Sequence, residues 1–340
     1  MRKIANIIRN ALHRDLLPRL SRIRDKPSTV HISITNRCNL RCRMCDIWKI
    51  PKGEELSTGE WKKIISSLKE WLGPFSLKIA GGEPLVRKDI PELIKFAHGQ
   101  GIFVGMSTNG TLIDEDTARR LIEAGLDEIH ISFDSTEAET HNFLRNDPSA
   151  YEQVINGISR LKRWKEYFRS GITINLASVM NCKNIDETKE LVEFVEKNSL
   201  HSINFQPLYQ NFGSEYDPKW YEKSELWPRE HERTEQAINY LIGRRKESFV
   251  VGNRAAQLEA MKNYFRNPTS QANIKCKAGT KDIAFDPYGN MLLCFGLPSI
   301  GNATRESLNK IWKGEAASQR RKDISACRRN CNLLNCNFEE

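Results

Sequence analysis

Cys38, Cys42 and Cys45 stand in the stretch TNRCNLRCRMCDIW with the spacing C-x3-C-x2-C. Three thiolates this close together on one irregular loop can hold three corners of an iron–sulfur cluster, whose soft metal suits sulfur ligands. The fourth iron of such a cluster has no protein ligand. An open metal position is where a substrate or cofactor binds and reacts. A structural zinc site, or three unrelated buried thiols, competes with this reading on spacing alone. A second group, Cys276, Cys294, Cys327, Cys331 and Cys336, lies toward the end of the chain, and Cys182 stands alone on a segment expected in the core.

The elements that must position these residues begin at residue 30. Strand-like runs at 30–36, 76–81, 102–108, 128–134, 172–179 and 201–207 alternate with helical patterns near 58–72, 89–99, 114–124, 149–167 and 185–198. That alternation predicts an α/β fold, a partial (β/α)6 TIM-like barrel over 30–210, with functional groups at the C-terminal ends of its strands. The cysteine loop follows the first strand. Gly81, Gly82, Glu83 and Pro84 follow the second, where two glycines allow close backbone approach and Glu83 adds an acceptor. Ser107 and Asn109 end the third strand, Ser132 and Asp134 the fourth, and Asn181 and Gln206 follow the fifth and sixth. Helices near 228–248 and 253–266 fill a linker over 211–275. From 276 to 340 a β-hairpin around DPYGN, a helix and the cysteine tail form a small C-terminal module.

At 340 residues the chain can bury a substantial core. No apolar run reaches the ~18 residues of a membrane span, and no apolar signal-peptide core begins the chain. Nine cysteines, an odd count with metal-like spacings, point to reduced thiols and a cytoplasmic location. The net charge of +9 is concentrated in one arm, since residues 1–30 carry eight Lys or Arg against Asp15 and Asp25. Ile4, Ile8, Leu12, Leu16, Leu20 and Ile23 recur there at helical spacing, predicting a basic amphipathic helix over 1–29 with a kink near Pro18. Its apolar stripe is expected to pack on the barrel. The alternative is peripheral contact with the inner membrane face. Nucleic acid is disfavoured because no RNA-binding module or basic–aromatic interleaving is visible.

The cysteine loop followed by GGEP resembles the radical S-adenosylmethionine (radical SAM) superfamily. The resemblance implies that the open iron of a [4Fe–4S] cluster chelates S-adenosylmethionine, whose reductive cleavage gives a 5′-deoxyadenosyl radical that abstracts a substrate hydrogen atom. It implies that the Gly81–Pro84 motif binds the methionyl amino group. STNG and SFDS, with Ser107, Asn109, Ser132 and Asp134, then contact the methionine carboxylate and ribose. Arg145 resembles the arginine that pairs with that carboxylate, a bidentate task suited to a guanidinium; an ordinary surface arginine is the alternative. Asn181 and Gln206 are candidates for ribose or adenine contacts, and Met44 stands where many relatives carry an aromatic before the third cysteine. An electron donor such as flavodoxin or ferredoxin is implied.

The hairpin, helix and cysteine tail resemble the SPASM and twitch extensions of this superfamily, and Gly289-x4-Cys294 matches their hairpin ending. Two four-iron clusters would need about eight thiolates, more than this group supplies. One auxiliary [4Fe–4S] cluster is therefore expected, held by Cys276, Cys294, Cys327 and Cys331, with Cys336 replacing one of them or remaining free. The predicted function is hydrogen abstraction from a small-molecule, lipid-linked or peptide substrate, with net oxidation through the auxiliary cluster. An RNA-modifying radical enzyme and a non-catalytic zinc barrel are the rivals. No side chain with a catalytic role of its own is identified.

Overall fold

A computed structural model describes residues 26–210, 215–270, 275–334 and 338–339. Nearly all of the predicted amphipathic arm, and Cys336, lie outside the described residues. Strands β1 (Thr29–Ser33), β2 (Ser76–Ala80), β3 (Phe103–Thr108), β4 (Glu128–Ser132), β5 (Thr173–Met180) and β6 (Ser202–Pro207) pair parallel in sequence order. The crossovers are α1 (Thr58–Leu72), α2 (Ile90–Gly99), α3 (Glu115–Glu123), α4 (Ala138–Arg145) with α5 (Ala150–Tyr167), and α6 (Thr188–Lys197). α1 starts at a reciprocal cap in which Ser57 and Glu60 satisfy each other's backbone N–H groups.

Period-two patterning decides which side of the sheet is dry. Val30, Ile32, Leu77, Ile79, Val104, Met106, Ile129 and Ile131 are buried under the helices. The alternate residues, among them His31, Lys78, Glu128 and His130, give the concave face a polar lining. Lys78 pairs there with Glu128 across Gly105, where a Cβ would come within 2.6 Å of Glu128 Oε1. Burial works against the Glu128 charge, but Lys78 and His130 hold its carboxyl well below the usual range.

Helix α4 is an addition to the predicted set. Its sequence is mostly polar, and only His141, Leu144 and Arg145 are buried, so it lacks the long apolar stripe that identifies a helix from periodicity. It stops at Asn146 in the left-handed conformation, φ 54°.

Beyond β6 come α7 (Trp220–Lys223), α8 (His231–Glu247) and α9 (Ala255–Arg266), then β7 (Lys275–Cys276), β8 (Asp282–Phe285), β9 (Asn290–Leu292) and β10 (Gly301–Asn302). α10 (Leu308–Lys313), α11 (Glu315–Ser325) and β11 (Phe338–Glu339) complete the described chain. The predicted hairpin forms, with Phe285 opposite Met291. It does not stand apart, because β8 pairs parallel with β1, Thr29 opposite Asp282 and Ile32 opposite Phe285. The sheet thus has nine strands in the order β10-β9-β8-β1-β2-β3-β4-β5-β6 and is not closed. β7 and β11 pair separately, Phe338 opposite Cys276. Among the described residues no helix is long and apolar enough to cross a membrane.

Candidate active site and auxiliary centre

The cysteine loop leaves β1 and is held on both sides. Gly82 N donates to Thr35 O at 2.8 Å and Glu83 N to Arg37 O at 2.9 Å, so the GGE segment pairs with the approach to Cys38. Gly81 takes φ +125°, and a Cβ on it would come 2.5 Å from Thr35 O. A Cβ on Gly82 would clash with the Arg37 carbonyl. The two glycines therefore serve close packing within the protein. Glu83 is wholly buried and accepts from Leu85 N (3.0 Å), Thr108 Oγ1 (2.7 Å) and Asn109 N (2.7 Å). Burial raises its pKa against these bonds. Its carboxylate fastens the end of β3 to the loop after β2. Pro84, also buried, opens the short turn that follows.

Asn109 carries the bracket onward. Its Nδ2 donates to Asn39 Oδ1 at 2.9 Å, and Asn39 Nδ2 donates to Thr111 Oγ1 at 2.9 Å. Asn39 sits between the first two cysteines and was invisible to motif reading, since a polar residue in a polar loop carries no periodic signal. The other side is closed by α4: Arg43 N donates to Leu144 O at 3.0 Å, and Arg43 Nε to Phe143 O at 3.1 Å.

Arg145 is buried, which removes the reading of it as a surface arginine. Its Nη2 lies 2.6 Å from Asp134 Oδ2, and its Nη1 faces Cys42 Sγ at 3.9 Å. Asp134, fully buried, also accepts from Val179 N at 2.9 Å through Oδ1. The Asp134 N–H donates to His141 Nδ1 at 3.3 Å, and burial together with Arg145 lowers the His141 pKa to about 3, keeping the imidazole neutral. Ser107 is exposed and Ser132 and Gln206 are half-buried, all at the C-terminal ends of their strands. Asn181 is buried and spends its side chain on the turn after β5, donating to Val179 O at 2.8 Å and accepting from Lys183 N at 2.9 Å. Cys182 departs from its expected core position: it is exposed, with Sγ 3.2 Å from Glu225 O.

The second centre is assembled from distant segments. Cys276 comes from β7, Cys294 follows β9, and Cys327 and Cys331 follow α11, near enough for their charges to interact. Burial pushes the Cys276 thiol up to about 11 and Cys331 up to about 12; in the first centre it pushes Cys38 up to about 11. Thiols so placed must lose their protons to bind metal.

Both centres share one local device. The backbone N–H two residues ahead donates to the sulfur at Cys38 (Leu40, 3.4 Å), Cys294 (Gly296, 3.3 Å) and Cys327 (Arg329, 3.5 Å), and likewise at Cys45 (Ile47) and Cys276 (Ala278). Such N–H···S bonds aim the sulfur and neutralise thiolate charge in iron–sulfur sites. Cys42 and Cys331 receive side-chain donors, Arg145 and the Tyr209 hydroxyl. Among the described residues, no three His, Cys, Asp or Glu side chains converge tightly enough for a single metal ion. Three thiols on one loop in the first centre and four gathered thiols in the second are soft donor sets of the kind that hold iron–sulfur clusters.

A cavity of about 330 Å³ lies beside the first cysteine loop. Met44 and Asp46 of the cysteine loop form one wall, and Tyr209, Trp220 and Glu225 the other.

Residues 32–195 match the radical SAM superfamily, and residues 276–337 match the SPASM iron–sulfur cluster-binding domain. The chain is 27% identical to the AdoMet-dependent heme synthase of Methanosarcina barkeri over 92% of its own length and 89% of that protein. With the Fe-coproporphyrin III synthase of the same organism it shares 34% identity over 56% of its length, spanning about half (47%) of that relative. Its fold matches a structure of anSMEcpe with bound AdoMet and a Cp18Cys peptide, at a TM-score of 0.68 and 16% identity over 92% of this chain and 89% of that one. The two domain matches imply a [4Fe–4S] cluster that binds S-adenosylmethionine, S-adenosylmethionine itself, and auxiliary iron–sulfur chemistry. This chain belongs to the radical SAM superfamily, as an enzyme carrying a SPASM-type iron–sulfur domain behind an open α/β barrel.

Proposed function

We propose that this enzyme is an oxidoreductase that abstracts a hydrogen atom from a small-molecule substrate held between its two iron–sulfur centres. When bound, the first cluster and S-adenosylmethionine supply the 5′-deoxyadenosyl radical. The protein's part is placement. Cys38, Cys42 and Cys45 hold the cluster with one iron left open, and Arg145, poised between Asp134 and Cys42, offers positive charge to the methionine carboxylate. Ser107, Ser132 and Gln206 line the approach for the ribose and adenine, while Glu83 and Asn109 fix the loops that flank it.

The observation that carries the reading is the cavity itself. One wall belongs to the first cysteine loop and the other to Tyr209, which bonds a cysteine of the second centre. At about 330 Å³ it is at the small end of ligand cavities, ~300–1,000 Å³. That volume suits a compact metabolite or one edge of a larger substrate. Cys276, Cys294, Cys327 and Cys331 would hold one auxiliary [4Fe–4S] cluster, with Cys336 replacing one of them or remaining free, and that cluster would supply an acceptor for an electron. A donor of the flavodoxin or ferredoxin kind in a reducing compartment supplies the initiating electron. In this reading 30–210 forms the barrel unit, 211–275 its cover and 276–340 the cluster module.

The test is anaerobic iron and sulfide analysis with a 5′-deoxyadenosine assay. About eight irons in the enzyme and about four in a Cys38→Ala, Cys42→Ala, Cys45→Ala variant are expected, with cleavage abolished. About four irons falling to none would remove the auxiliary cluster and the oxidation with it.

A further inference from the structure

We propose that the Tyr209 hydroxyl sets the reduction potential of the auxiliary cluster from the wall of the substrate cavity, by donating a hydrogen bond to Cys331 Sγ. The inference rests on the assignment of Cys331 as a ligand of that cluster. Five of the cysteines in the two centres take a backbone N–H from two residues ahead, a donor that no substitution of side chains removes. At Cys331 a phenol donates. Tyr209 follows the end of β6 by two residues, and its neighbour Leu208 is anchored because Tyr264 Oη donates to Leu208 O at 2.9 Å. The Tyr209 ring lies 6.3 Å from the Trp220 ring, and both line the cavity. One side chain thus touches the substrate space and the second centre together.

The sign of the effect follows from charge. Adding one electron makes the cluster and its sulfurs more negative, so a donor to sulfur stabilises the reduced form and raises the potential. No bond is made or broken. Because the same ring borders the cavity, an occupant that turns the phenol away from Cys331 lowers the potential, and one that presses it closer raises it. Tyr209 is a positioning residue in this sense, coupling the contents of the cavity to the readiness of the cluster to accept an electron.

The experiment uses the full chain with Cys38, Cys42 and Cys45 changed to Ala, so that the auxiliary cluster is seen alone in an EPR-monitored redox titration. Tyr209→Phe is expected to shift the reduction equilibrium about tenfold toward the oxidised form, about 59 mV for one electron. Replacement of Tyr209 by 3,5-difluorotyrosine, at a pH where the phenol stays protonated, strengthens the donor and is expected to shift it the other way. Coincident potentials for all three proteins, or shifts of the same sign in both variants, overturn the proposal. If the Phe protein fails to hold iron, the fluorinated one decides by itself. An absence of iron in the parent protein overturns both this inference and the auxiliary cluster it rests on, whereas a normal cluster with an unmoved potential overturns this inference alone.

Discussion

The first centre gathers its cysteines from one loop and surrounds that loop with brackets; the second draws them from three places and relies on the surrounding chain to bring them together. In the first, Glu83, Asn39, Asn109 and the end of α4 fix a loop whose ligands number one fewer than the irons of a four-iron cluster. In the second, the four thiols of Cys276, Cys294, Cys327 and Cys331 lie near one another, and on the proposed ligand set they match the irons one for one. Rigidity is thus concentrated where an iron stays open and a cofactor must be oriented. On the proposed ligand set, the second cluster needs only to be held at a distance suited to electron transfer.

The largest effect that separates the two is expected from Cys331→Ala. The variant should lose about four of about eight irons yet still form 5′-deoxyadenosine under reductant, as measured by iron assay and chromatography. Loss of cleavage there would mean that the centres are not independent. Next comes Arg145→Met, which leaves Asp134 charged and buried without its partner. Breaking a buried ion pair costs about 3–5 kcal/mol, readable as a lower urea midpoint with an unchanged slope. A midpoint close to that of the parent would show that Asp134 is neutralised another way. The smallest is Asn39→Ala, which removes the bridge to Asn109 and Thr111 at about 1 kcal/mol. Faster iron loss from the first centre than from the second, followed by chelator challenge, is the expected signature.

Much of this contrast was legible in the chain. Five of the six strands and most helices fall within a residue or two of their patterns because hydrophobic periodicity is a local property, and the first strand stops three residues early at Ser33. The cysteines and GGEP announced themselves through residue types that few other environments require. What the sequence did not disclose depends on partners far away. Arg145 stands out through its resemblance to a carboxylate-binding arginine, but a surface position remains its alternative until Asp134 is seen to bury with it. Gly81 and Gly82 read as glycines that allow close backbone approach, and only the passage of Thr35 and Arg37 beside them shows which chain segments come that close. Tyr209 is one aromatic after one strand. Its meaning comes from Cys331, more than a hundred residues later.

The pairing of β1 with β8 joins Thr29 to Asp282, two residues that leave the ribosome far apart in time. The first strand emerges early, pairs with β2, and keeps its other edge open while the remaining barrel strands are made. An unpaired edge of this kind invites association with other nascent chains. Contacts so distant in sequence also form slowly, because a long loop must close before they are rewarded. The segment that finally covers the edge is the hairpin that leads into Cys294. Completion of the sheet and assembly of the second iron site are therefore late events of the same folding step.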